Sequence, residues 1–142
     1  MSNGSRILNL AAAVRDLINE ARIIPVQAAI DVVPSVALED LDQLIVCVTP
    51  FTFASTPETR QNFASDIVLS IIVASPAKAA DFFTLMGYTD AIAELLEQAN
   101  IPGARLRKIK YAPVYDTESY HEDGLFLSII RPEFSYATFN DE

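Results

Sequence analysis

The chain predicts an α+β domain: a mostly antiparallel sheet of about five strands, with an N-terminal helix and a helix between strands three and four on one face. Three observations carry this. Apolar residues recur at helical spacing in two segments, near the start and after residue 75. Between and after them lie runs that alternate or are wholly apolar over strand-length windows. Consecutive strand runs are joined by short links, which favours antiparallel pairing with helices layered on the sheet.

Ser5 to Arg22 reads as the first helix. Ile7, Leu10, Val14, Leu17, Ile18 and Ala21 line one face, Ser5 supplies a cap and Pro25 stops the pattern. Val26 to Val33 alternates as a strand and ends at Pro34. Leu44 to Thr49 is a second strand. Pro50 to Gln61 reads as a long loop carrying Phe51, Phe53 and Arg60. Asn62 to Ser75 is a third strand, with Ile67, Leu69, Ile71 and Val73 on a face that must be buried. Ser75-Pro76 has the form of a helix start, and the helix continues past Phe82 and Met86 to Ala99, with Gly87 marking a kink or a break. Ile101-Pro102-Gly103 ends it. Arg105 to Tyr115 and Leu125 to Ile130 form a closing hairpin, with Pro132 expected at a sheet edge or past the strand. One domain spans 1–142, and residues 137–142 read as a flexible tail.

The chain has 142 residues, 51% hydrophobic and 20% charged, so it can form one sizeable core and is not a disordered chain. Net charge is −9, the opposite of what a free-standing nucleic-acid binder carries. The single cysteine, Cys47, lies in an apolar strand run and reads as a buried small residue. No apolar run approaches the roughly 18 residues of a membrane span. Ile7 to Val14 is no convincing leader, so a cytoplasmic product without a targeting segment is expected.

Chemistry is sparse. His121, the only histidine, sits in an acidic turn with Asp116, Glu118, Glu122 and Asp123, where no burial or partner hydroxyl promises catalysis. The acids fit no EF-hand spacing, and one His plus one Cys cannot build a zinc site. Four glycines provide no phosphate-cradling loop. No cofactor and no metal are expected. Arg105-Leu106-Arg107-Lys108-Ile109-Lys110 is the one basic cluster. On a regular strand Arg105 and Arg107 would face one way and Lys108 and Lys110 the other. It reads either as a charge-protected edge strand or as a strip that meets acids such as Glu39, Asp40 and Asp42 on a neighbouring copy. Phe51 and Phe53 either cover the end of the sheet or anchor a partner protein, with Arg60 as their charged companion.

The arrangement resembles the tail terminator (tail completion) proteins of long-tailed bacteriophages, from about Ile7 to about Tyr136. The features of likeness are the opening helix, the strand ending in Val32-Val33-Pro34, the strand LIVCVTP before a long loop, Thr59-Arg60 before the aliphatic strand SDIVLSIIV, and the helix and closing hairpin that follow. The resemblance implies a non-enzymatic virion protein of the tail neck. It would form a homo-oligomeric ring, commonly a hexamer, on the head-proximal end of the tail tube, contacting the tube protein and the head connector while DNA only passes through. Under that reading Phe51, Phe53 and Arg60 contribute to subunit or tube contacts, and Arg105, Arg107, Lys108 and Lys110 to ring packing or the DNA passage. The alternatives are another head-to-tail joining protein, or a small α+β module that binds a ligand or peptide.

Overall fold

The computed structural model describes residues 6–30, 43–57, 62–76, 82–101, 103–111 and 124–139. In chain order these form α1 (Arg6–Ala21), β1 (Ala29–Ile30), β2 (Ile45–Pro57), β3 (Asn62–Pro76), α2 (Phe82–Gln98), β4 (Ala104–Tyr111) and β5 (Leu125–Phe139). The strands make one sheet in the order β1-β2-β3-β5-β4. The α+β expectation holds, with both helices packed on one side of a five-stranded sheet.

Helix α1 forms because Leu10, Ala11, Val14 and Ile18 share a stripe that the sheet buries completely or nearly so. Burying each of its larger side chains stabilises the fold by roughly 1.5–3 kcal/mol. Ala21, placed on that stripe from sequence, is exposed at the last turn. The helix stops at Arg22, whose φ of 54° is left-handed, three residues before Pro25. Helix α2 is one continuous helix through Gly87, so the break does not occur. Leu85, Thr89, Ile92, Ala93 and Leu96 hold it to the core, and the Thr89 hydroxyl donates to the Leu85 carbonyl at 3.4 Å. Ser75-Pro76 does not start this helix. Both residues finish β3, where Pro76 stands opposite Leu125. No helix among the described residues is long and apolar enough to cross a membrane.

In the sheet, Ile67, Leu69, Ile71 and Val73 of β3 are fully buried under the helices, as the sequence pattern demands. Val46 and Val48 from β2 and Phe126, Ile130 and Phe134 from β5 complete that face. Cys47 is buried as expected, on the opposite face. β1 is only two residues long and pairs parallel with β2, unlike the rest of the sheet. A parallel neighbour needs a crossover of about a dozen residues or more, a length that the chain between Ile30 and Ile45 supplies.

Two long strands correct the sequence reading. The loop expected over Pro50 to Gln61 is mostly strand: β2 runs to Pro57, and only residues 58–61 lie between it and β3. A register shift between Pro50 and Thr52 makes Phe51 an extra residue, so the ladder continues past a proline that cannot donate to it. Pro132 is neither at an edge nor beyond the strand. It is buried within β5, which lies between β3 and β4 and continues to Phe139, into the segment read as a tail. The β3–β5 ladder runs from Val68↔Glu133 to Ile71↔Ile130 without pairing the residues between. The register is the same on both sides of that gap, so the ladder lapses at the proline itself, which has no N–H to donate.

Candidate assembly surface

The face of the sheet away from the helices collects most of the chain's placed cations. Arg105 stands opposite Ser135, Lys108 opposite Glu133 and Lys110 opposite Arg131. These β5 residues alternate with Pro132 and Phe134, which are buried on the helix side, so the three cations share the helix-free face. A second register shift, between Leu106 and Lys108, makes Arg107 the extra residue of β4. Arg107 reaches across β5 to Asp66 of β3 on that same face, Nη1 to Oδ1 at 3.4 Å. All four side chains are exposed. The expected split, two cations on each side of the strand, does not occur because the bulge resets the alternation.

Arg131 adds a fifth cation. Its Nε donates to Ser70 Oγ at 3.2 Å, and its guanidinium lies 4.0 Å from the centre of the Phe51 ring. Phe51 keeps half of its surface exposed. Asp66, Val68, Arg107, Lys108 and Glu133 line a shallow depression of about 280 Å³ between these groups. Asp66 and Arg107 are both well exposed, so their ion pair orients the side chains without adding much stability.

The outer side of α2 has the opposite character. Asp90, Glu94 and Glu97 are exposed at helical spacing, and the helix contains no Lys or Arg. Phe83 lies on the same stripe with 83% of its surface exposed. Tyr111, at the end of β4, donates its hydroxyl to Asp90 Oδ1 at 2.9 Å. Partial burial, then that hydrogen bond and the charges of Asp90 and Glu97, push its phenol up to about 12.

The other residues singled out from sequence are placed in part or not at all. Phe53 takes the register position opposite Ile67, and Phe51 meets Arg131 on the helix-free face. The Phe53 side chain, Arg60, Glu39, Asp40, Asp42 and the acidic turn around His121 lie outside the described residues. Among the described residues no group of His, Cys, Asp or Glu is arranged to hold a metal ion. Sequence reasoning passed over Arg131 and the acidic stripe of α2. The stripe was readable from the spacing of Asp90, Glu94 and Glu97, whereas Arg131 shows its role only once register sets it beside Ser70 and Phe51.

No protein-family model matches the chain, and no curated protein matches it. A solved structure does. The fold matches a chain from the virion of a native gene transfer agent particle, with a TM-score of 0.52 and 18% identity. The match covers 93% of this chain and 99% of that one. At that identity the likeness is one of fold, and it extends over nearly the whole chain rather than a single supersecondary unit.

Proposed function

We propose that this chain is a structural protein of a phage-like virion, and that it acts as the tail terminator: a ring, hexameric in the simplest reading, that caps the head-proximal end of the tail tube. The observation that carries this reading is the end-to-end fold match to a virion chain of nearly the same extent. It is supported by the order of elements read from sequence and by two surfaces of opposite charge on one protomer. A heterologous ring needs two different patches per subunit, and a rotation that closes. In this role the protein needs no catalysis, cofactor or metal. It is made in the host cytoplasm and contacts copies of itself, the tube protein and the head connector, while DNA only passes through the lumen. Phe51, Phe53 and Arg60 are assigned to subunit or tube contacts, and Arg105, Arg107, Lys108 and Lys110 to ring packing, with Glu39, Asp40 and Asp42 as further acidic candidates.

The test is native mass measurement and negative-stain imaging of the purified protein, alone and mixed with tail tubes, at low and high salt. Closed rings with a central hole, free or on tube ends, are expected. A monomer at every salt concentration that leaves tube ends bare would overturn the reading.

A further inference from the structure

The two charged surfaces lie on opposite sides of one plate. The sheet side carries Arg105, Arg107, Lys108, Lys110 and Arg131, half of the ten Lys and Arg in the chain, against the nearby acids Asp66 and Glu133. The helix side carries Asp90, Glu94 and Glu97 with no cation on the same helix. From these we infer that the helix-free face of β4 and β5 docks on the outer stripe of α2 in a second copy of this chain, so that copies stack sheet face to helix layer. The inference rests on the ring reading for its closure, but not for its contact.

Charge complementarity selects this occupant. A chain of net charge −9 repels other copies at long range unless local patches are matched. Pairing two β4 edges about a two-fold axis would continue the sheet with both helix-free faces on one side. It would bring the basic row of each copy beside that of the other, so like charges oppose the isologous dimer. Head-to-tail stacking instead sets cations over acids. The dimensions agree. Arg105 to Lys110 spans roughly 16 Å at strand rise, and Phe83 to Glu97 spans roughly 21 Å at helix rise. The helix stripe is also shaped for close approach, because Gly87 leaves open space between Phe83 and Asp90. Phe83 and Phe51 supply an exposed aromatic at each surface, the residue type that anchors interfaces.

The test uses the 142-residue chain in two charge-reversed forms, Lys108→Glu/Lys110→Glu and Glu94→Lys/Glu97→Lys. All four side chains are exposed, so both variants should keep the wild-type circular dichroism spectrum and melting temperature, which is checked first. Each variant alone should self-associate at least about tenfold more weakly than wild type in analytical ultracentrifugation at low salt. An equimolar mixture should recover association, because each copy then offers the surface that the other needs. In wild-type protein mixed from two isotopic labels, zero-length carbodiimide coupling should join Lys108 or Lys110 of one copy to Glu94 or Glu97 of another. Unchanged association of the variants, or a mixture that stays dissociated, would overturn the inference. So would wild-type protein that is monomeric at every concentration. A basic face that instead retains duplex DNA, with retention lost in the Lys108→Glu/Lys110→Glu variant and no coupling between copies, would assign it to nucleic acid and also overturn the inference. Rings whose couplings map elsewhere would preserve the tail-cap reading and defeat this contact. Open chains joined through the expected pairs would preserve the contact and defeat the ring.

Discussion

Asn19 is the most informative single side chain to remove. It projects from α1 and holds the backbone of Ala28, one residue before β1, at both polar groups. The Ala28 N–H donates to Asn19 Oδ1 at 2.7 Å, and Asn19 Nδ2 donates to the Ala28 carbonyl at 3.3 Å. Ala28 is buried, with 4% of its surface exposed, so little water can replace these bonds. Two neutral hydrogen bonds contribute about 1 kcal/mol each, and a buried N–H left without an acceptor costs about 1–3 kcal/mol in desolvation. The carbonyl is less costly to strand, because its bond is longer and its acceptor geometry more forgiving. Asn19→Ala is therefore expected to destabilise the fold by about 2–3 kcal/mol. Helix propensity favours alanine by a few tenths of a kcal/mol and offsets little of this. The assay is equilibrium urea unfolding with both arms of the transition defined, so that a lower midpoint at constant slope reports stability alone. Amide exchange at Ala28 should accelerate at the same time. A loss below about 0.5 kcal/mol with unchanged exchange would show that the clamp does not hold β1, and that the hydrophobic contacts of the α1–β2 layer suffice.

Three further outcomes follow from single sites. Phe126→Ala should cost about 3–5 kcal/mol in urea unfolding, because the ring is fully buried and meets Phe82 edge to face at 6.0 Å. Gly103→Ala should cost about 1–2 kcal/mol, since φ is 81° in the turn where the Ala104 N–H donates to the Ile101 carbonyl; it is read as a drop in melting temperature. Tyr111 has its phenol raised from 10.0 to about 12 by burial first and by Asp90 next, so the folded state keeps a proton that the unfolded state releases between those values. Its contribution is complete below about pH 10 and is lost as pH rises through about 12. Melting temperature in that window should fall less steeply in Tyr111→Phe than in wild type.

The core was legible because it depends on periodicity. Ile67, Leu69, Ile71 and Val73 could only be one face of a strand, and Leu10, Val14 and Ile18 only one face of a helix; all are buried as that logic requires. Prolines misled the reading at both long strands. Pro50 and Pro132 look like punctuation, yet each sits within a strand at a place where the ladder shifts or lapses. Local sequence says that proline lacks a donor, but not that long ladders on both sides of it carry the strand past the gap. The parallel pairing of β1 was hidden for the same reason, since nothing in Ala29-Ile30 identifies its neighbour. In the candidate assembly surface, the basic residues were visible and their common face was not.

That common face was nevertheless encoded. In the run Arg105 to Tyr111, the apolar positions are Leu106, Ile109 and Tyr111. Leu106 and Ile109 are three apart, so no strand of strict period two can turn both toward the core. A regular β4 would bury one of them and aim Arg105 and Arg107, or Lys108 and Lys110, at the helices. An unpaired charge there would cost far more than a bulge. One extra residue resolves the conflict: Leu106 stands opposite Phe134 and Ile109 opposite Pro132 on the helix side, and every cation is left on the other. The odd spacing thus converts a core-packing demand into an accumulation of like charge on one face. Because the charged side chains of α2 are all acids, the basic sheet face and this helix give the same protomer surfaces of opposite sign. Such a body satisfies both of its charged surfaces in contact with its own kind only when every copy points the same way along the stack. A directional repeat of this kind is what a ring requires and what a two-fold dimer cannot provide.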